Sequence, residues 1–142
     1  MSYSFDDPAI QQFLTEGTRT GHLAYTASDG RPLTVPIWFV VDGDRLAFNT
    51  GASTAKARAM HRDSRVSLCV DVQHPPYAFV TVQGTVELSD DLPEVKRIAT
   101  ACGGRYMGAE RADEFGERNG VPGELVIWIT PVKVLAQLDA TA

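Results

Sequence analysis

The ten residues Asn49–Arg58, NTGASTAKAR, place a glycine, small hydroxyl side chains and two cations where an apolar run, RLAFNT, gives way to a helix pattern. A helix N-terminus exposes unpaired N–H groups and the positive end of a dipole. Thr50, Ser53 and Thr54 add hydroxyls, and Lys56 and Arg58 add full charges within the first turns. Together these groups suit a phosphate. Cations near a helix start oppose the dipole, so their presence there calls for an anion. The same stretch also fits a capped surface helix with solvated cations, because no Walker-type glycine spacing is present.

A second segment, Val35–Phe39 (VPIWF), sets Pro36 among large apolar residues. Proline cannot donate to a strand ladder, so Pro36 marks an edge or a bulge. Backbone groups freed from the ladder there could bond the polar edge of a flat heterocycle, with Trp38 or Phe39 along its face. Read alone, the segment is better explained as a core strand carrying an edge proline. His22, His61 and His74 have no ligand spacing, so no metal site is expected. No GxSxG is present and neither Cys69 nor Cys102 lies near an evident base, so nucleophilic catalysis has no visible support.

These segments need elements to position them. Asp7–Glu16 reads as a short amphipathic helix, capped by Asp6 or Asp7, with Ile10, Phe13 and Leu14 on its apolar face. Strand patterns follow at His22–Thr26, Leu33–Val41 and Leu46–Thr50, joined by the Asp-Gly turns Asp29-Gly30 and Asp42-Gly43. Ser53–His61 reads as a helix. Val66–Val72 and Ala78–Leu88 read as strands separated by HPPY, with Gly84 as a bulge. A helix capped at Asp90 or Asp91 runs to about Tyr106, with Ile98 and Ala101 inward. A polar helix covers Ala109–Asn119. Leu125–Thr130 and Val132–Leu138 complete the strands, split by Pro131. The pattern predicts a mainly β protein with helices: a single domain, built as a barrel of six or seven mostly antiparallel strands with helices at the rim.

The length of 142 residues fits one domain able to bury its own core. A net charge of −5 argues against nucleic acid or an anionic membrane as main partner, and no apolar run is long enough to span a bilayer. The polar, acidic N-terminus does not read as a secretory signal. Two separated cysteines fit a reducing, cytoplasmic compartment. Any bound anion must therefore be held by a local cluster of cations.

The order of GRPLTVPIWFVVDGDRLAFNT, STAKARAMHRDSRVSLCV and YAFVTVQGTVEL resembles the pyridoxamine 5′-phosphate oxidase-like superfamily of split β-barrels. Within it, the chain is similar to the flavin/deazaflavin oxidoreductases of class B, which use coenzyme F420. The resemblance is clear over Gly21–Leu88, loose over the last strands, and most specific at K-x-R-x-M-x-R-D-x-R-V, Lys56 to Val66. It implies a split β-barrel homodimer with a cofactor site at each interface. It implies phosphate contacts from Asn49, Thr50, Ser53, Lys56 and Arg58, and ring contacts from Pro36, Ile37, Trp38 and Phe39. Tyr77, Ala78 and Phe79 match a segment that reaches the other subunit's cofactor. F420 is expected over FMN, because Arg58, Arg62 and Arg65 could attract its polyanionic tail. The C-terminal ITPVKVLAQLDATA has only Lys133 as a cation and lacks the substrate-phosphate residues of the vitamin B6 oxidases. Haem binding and flavin storage rank lower. The implied reaction is hydride transfer from reduced F420 to a small conjugated or electron-poor organic acceptor, with no catalytic acid identifiable.

Overall fold

The computed structural model describes residues 2–141. Its eight strands are β1 (Ser2–Tyr3), β2 (Gly21–Thr26), β3 (Pro32–Ile37), β4 (Val40–Asp42), β5 (Arg45–Gly51), β6 (Arg65–Val72), β7 (Ala78–Ser89) and β8 (Glu124–Gln137). Its helices are α1 (Pro8–Thr15), α2 (Ala55–Arg62), α3 (Leu92–Met107) and α4 (Ala112–Asn119), with a 3-10 turn at Ala109–Arg111. Seven strands form one antiparallel path, β3-β2-β6-β7-β8-β5-β4, and β1 adds to β8. The antiparallel barrel with helices read from the strand pattern, and the split-barrel form implied by the resemblance, are the mixed α+β architecture observed.

Connectivity forces the curl. β3 and β4 lie at opposite ends of the path, yet only Trp38 and Phe39 separate them. Three Cα steps span at most about 11 Å, so the twisted sheet must bend until its two edges meet. Inside the curl sits the main core, with Leu23, Phe39, Phe48, Leu68, Val80 and Ile127 among its fully buried members. Helix α1 contributes Ile10, Phe13 and Leu14 to that core. Its cap is Asp7, whose carboxylate accepts from the Ala9 N–H at 2.9 Å.

A second, smaller core lies on the outer face of β5 and β8, under α3. Ala47, Val126 and Trp128 meet Val95, Ile98 and Cys102 there. Neighbours along the same strands, Leu46, Phe48, Ile127 and Ile129, turn to the main core. Burial on both faces explains why LVIWI is apolar throughout rather than alternating.

Three expectations are corrected. Leu33–Val41 is not one strand: pairing with β2 ends at Ile37 opposite Gly21, and pairing with β5 starts at Val40. Pro131 does not split the last strand, because β8 runs through it. The β7–β8 register shifts there, with Gly84 opposite Pro131 and Gln83 opposite Lys133. On its other side β8 leaves β5 at Ile129 and meets β1 only at Val134, so the proline's missing N–H costs no second ladder bond. A Cβ at Gly84 would lie 2.3 Å from the Thr130 carbonyl oxygen, which is why glycine occupies the bulge. Finally, Ala101 is exposed, and Cys102 is the neighbour that α3 buries. The two Asp-Gly turns form as expected, with Gly30 and Gly43 at φ of 87° and 63°.

Candidate functional site

The dipeptide Trp38-Phe39 crosses from one edge of the sheet to the other and has no ladder of its own. The backbone groups of Phe39 are taken up by α3 instead. The Phe39 N–H donates to Tyr106 Oη at 3.3 Å, and Tyr106 Oη donates to the Arg19 carbonyl at 2.8 Å. Arg105 donates to the carbonyls of Phe39 and Leu14, each at 2.8 Å, and to that of Gly17 at 3.0 Å. Burial pulls the Arg105 guanidinium down from its usual range and pushes the Tyr106 phenol up. The backbone groups of Phe39, which the sequence offered to a ligand, are thus used internally, and the Phe39 ring is fully buried.

Trp38 behaves differently. It is 41% exposed, and its indole stacks parallel on Tyr106 at 5.0 Å between ring centroids. Phe115 of α4 meets it edge-on at 6.1 Å. Beside Trp38 opens a cavity of about 300 Å³. Pro36, Ile37 and Trp38 form one wall, and Asn49 and Lys56 come from β5 and α2. Helices α3 and α4 close it with Ala99, Cys102, Gly103 and Asn119, and Glu124 at the start of β8 completes the lining. Gly103 lets the two helices approach, since a Cβ there would stand 2.4 Å from that of Phe115.

The lining combines apolar side chains with the polar groups of Asn49, Lys56, Asn119 and Glu124. Asn49 is held by bonds from its side-chain NH2 to the carbonyls of Val95 (3.2 Å) and Leu125 (3.3 Å). Lys56 and Glu124 both line the cavity without an ion pair within 4.0 Å. Burial pushes the Glu124 carboxyl up, and the Lys56 charge pulls it partly back. Burial also pushes the Cys102 thiol up to about 12, so this cysteine is a neutral wall.

Five of the residues singled out in the sequence therefore meet in one cavity: Pro36, Ile37, Trp38, Asn49 and Lys56. The others lie elsewhere. Thr50 is buried and hydrogen-bonded to Thr54, which caps α2 by accepting from the Ala57 N–H at 3.2 Å. Ser53 is exposed, and Arg58 folds back to donate to its carbonyl. Arg62 is exposed, and Arg65 is paired with Asp63 at 2.8 Å. Tyr77 and Ala78 line a separate cleft of about 320 Å³ with Phe13, Arg19 and Val72, and Phe79 lies exposed nearby on β7.

The α3–α4 wall and Glu124 escaped the sequence reading. The glycine pair Gly103-Gly104 inside a helix was the available sign of close packing at α3. Glu124 had none, since only strand pairing sets it opposite Gly51. Among the described residues no cluster of three or more His, Cys, Asp or Glu is placed to hold a metal, and no helix is long and apolar enough to cross a membrane.

A family model described as pyridoxamine 5′-phosphate oxidase matches residues 6–138. Among solved structures, a conserved hypothetical protein from Mycobacterium tuberculosis aligns with a TM-score of 0.82 at 22% identity, over 95% of this chain and 85% of that one. A structure described as an F420 reductase aligns with a TM-score of 0.68 at 25% identity, over 87% and 94% of the two chains. The haem storage protein of Vibrio cholerae aligns with a TM-score of 0.73 at 15% identity, over 99% and 100%. No curated protein matches the chain.

Proposed function

The chain belongs to the pyridoxamine 5′-phosphate oxidase family, and from that premise we propose that it is an oxidoreductase working with coenzyme F420 and a conjugated or electron-poor organic acceptor. One observation carries the reading: a single cavity joins an apolar wall at Pro36, Ile37 and Trp38 to a cation at Lys56. That arrangement fits a planar ring against the apolar wall and a phosphate at the cation. Its volume is at the small end for ligand sites, so a tail would extend beyond it. The likeness to an F420 reductase adds support.

When bound, F420 would supply the hydride; the chain would supply orientation and a dry face. Trp38, held by Tyr106, would border the ring. Lys56 would meet the phosphate, and Cys102 with Ala99 would keep water from the inner wall. Tyr77, Ala78 and Phe79 are assigned to the neighbouring subunit's site in a homodimer. The 45% exposed Tyr77 and 36% exposed Phe79 favour a partner at the start of β7.

Lys56→Ala should weaken F420 binding by tenfold or more, because a charged hydrogen bond is worth about 1.5–3 kcal/mol. Fluorescence titration of F420, FMN and FAD side by side measures this, and unchanged F420 affinity in the variant would sink the reading. Steady-state oxidation of reduced F420 with quinones, enones or tetrapyrroles then separates an enzyme from a storage protein. The likeness to a haem storage protein is the observation behind that second reading; tight binding without turnover would favour it.

A further inference from the structure

We propose that Glu124 makes the cavity around Lys56 selective for a phosphodiester over a phosphomonoester. The inference rests on the reading that this cavity takes a ring-bearing phosphate ligand, and it says which kind. Strand pairing sets Glu124 directly across from Gly51, where β5 ends. A Cβ at position 51 would lie 3.1 Å from Glu124 Oε2. The glycine therefore leaves the space that the carboxylate occupies, at the turn leading into α2. Lys56 is the second residue of that helix and lines the same cavity.

The charge balance follows. Lys56 contributes one positive charge and Glu124 one negative. Among the described residues no other charged side chain lines the cavity. Cys102 stays protonated, and Asn49 and Asn119 are neutral. Arg58 is turned out to the Ser53 carbonyl. A site for a doubly charged phosphate gains from two cations; this one offers a single cation shadowed by a carboxylate. Burial already raises the cost of ionising Glu124, and a neighbouring anion would raise it further.

The two candidate cofactors differ at this group. FMN carries a terminal phosphomonoester, close to two negative charges once pH exceeds its second pKa of about 6. The phosphate of F420 is a diester and carries one. Repulsion from Glu124 grows in proportion to the charge on the phosphate beside it, the F420 tail extending beyond the cavity. A factor lost by the diester is therefore squared for the monoester.

The test is fluorescence titration at pH 8 of wild type, Glu124→Gln and Lys56→Ala with F420, FMN and riboflavin, which has no phosphate. Glu124→Gln should tighten F420 about threefold and FMN about tenfold, and leave riboflavin within twofold. Glu124→Ser should show the same order, so a packing defect in one variant cannot imitate the result. Equal shifts for F420 and FMN, or none, with F420 still dependent on Lys56, would overturn the selectivity and leave the functional reading standing. A shift for riboflavin as large as for FMN would also overturn it, by placing the effect on the ring. If F420 binding ignores Lys56, both ideas fall together.

Discussion

Replacing Tyr106 by Phe removes one oxygen and keeps the ring. That oxygen joins α3 to the crossing Trp38-Phe39 and to Arg19 through two hydrogen bonds, at 3.3 Å and 2.8 Å. The shorter bond is worth about 1 kcal/mol net, and the longer one less. The larger cost is that the N–H of Phe39, a fully buried residue, loses its partner. A loss of about 2 kcal/mol follows. With a urea m-value of about 2 kcal/mol/M, the unfolding midpoint should fall by roughly 1 M. Near-ultraviolet circular dichroism supplies the second readout. Stacking of Trp38 on Tyr106 needs only the ring, so its signal should survive in Tyr106→Phe and vanish in Tyr106→Ala. A midpoint shift of under about 0.3 M would refute the claim that this hydroxyl braces the Trp38-Phe39 crossing. Loss of the stacking signal in the Phe variant would refute the division of labour between hydroxyl and ring.

Asp42 accepts two bonds from Arg97 at 2.9 Å and one from Trp128 Nε1 at 3.0 Å, and the Arg97 bonds hold its carboxyl below the usual range. Its contribution is complete above the unfolded value near 3.8 and is lost as pH falls through the lower folded value. Asp42→Ala should cost about 2 kcal/mol at pH 7, chiefly through the stranded indole N–H, and should flatten the acid limb below pH ~4 in urea titrations; an unchanged acid limb would count against it. With its thiol pushed up to about 12, Cys102 should resist iodoacetamide at pH 8, where only about one thiol in ten thousand would be ionised. Rapid labelling of Cys102 in the folded protein, read by mass spectrometry, would show that the inner wall is open to water.

Local patterns were legible where a residue's own chemistry dictates its backbone. The Asp-Gly turns, the break at HPPY, the edge role of Pro36 and the cap of α1 each follow from a donor, a ring or a missing Cβ. Pro131 misled because its cost depends on whether a partner strand is present, and at that point β8 has one on a single side. Ala101 misled because a helix face is defined by what it packs on, and α3 turns Cys102 inward.

With the resemblance to a known family setting the expectation that Pro36, Ile37, Trp38, Asn49 and Lys56 share one site, the order of residues by itself determined an antiparallel barrel with rim helices. It did so because alternation, turn chemistry and helix starts are short-range properties. Only the tertiary structure decided that α3 and α4 wall that site, that Phe39 is spent on closing the barrel, and that a carboxylate from residue 124 stands beside the cation of residue 56. Those facts depend on strand pairing across more than seventy residues, where Gly51 meets Glu124. Nothing in the immediate neighbourhood of either residue encodes that meeting.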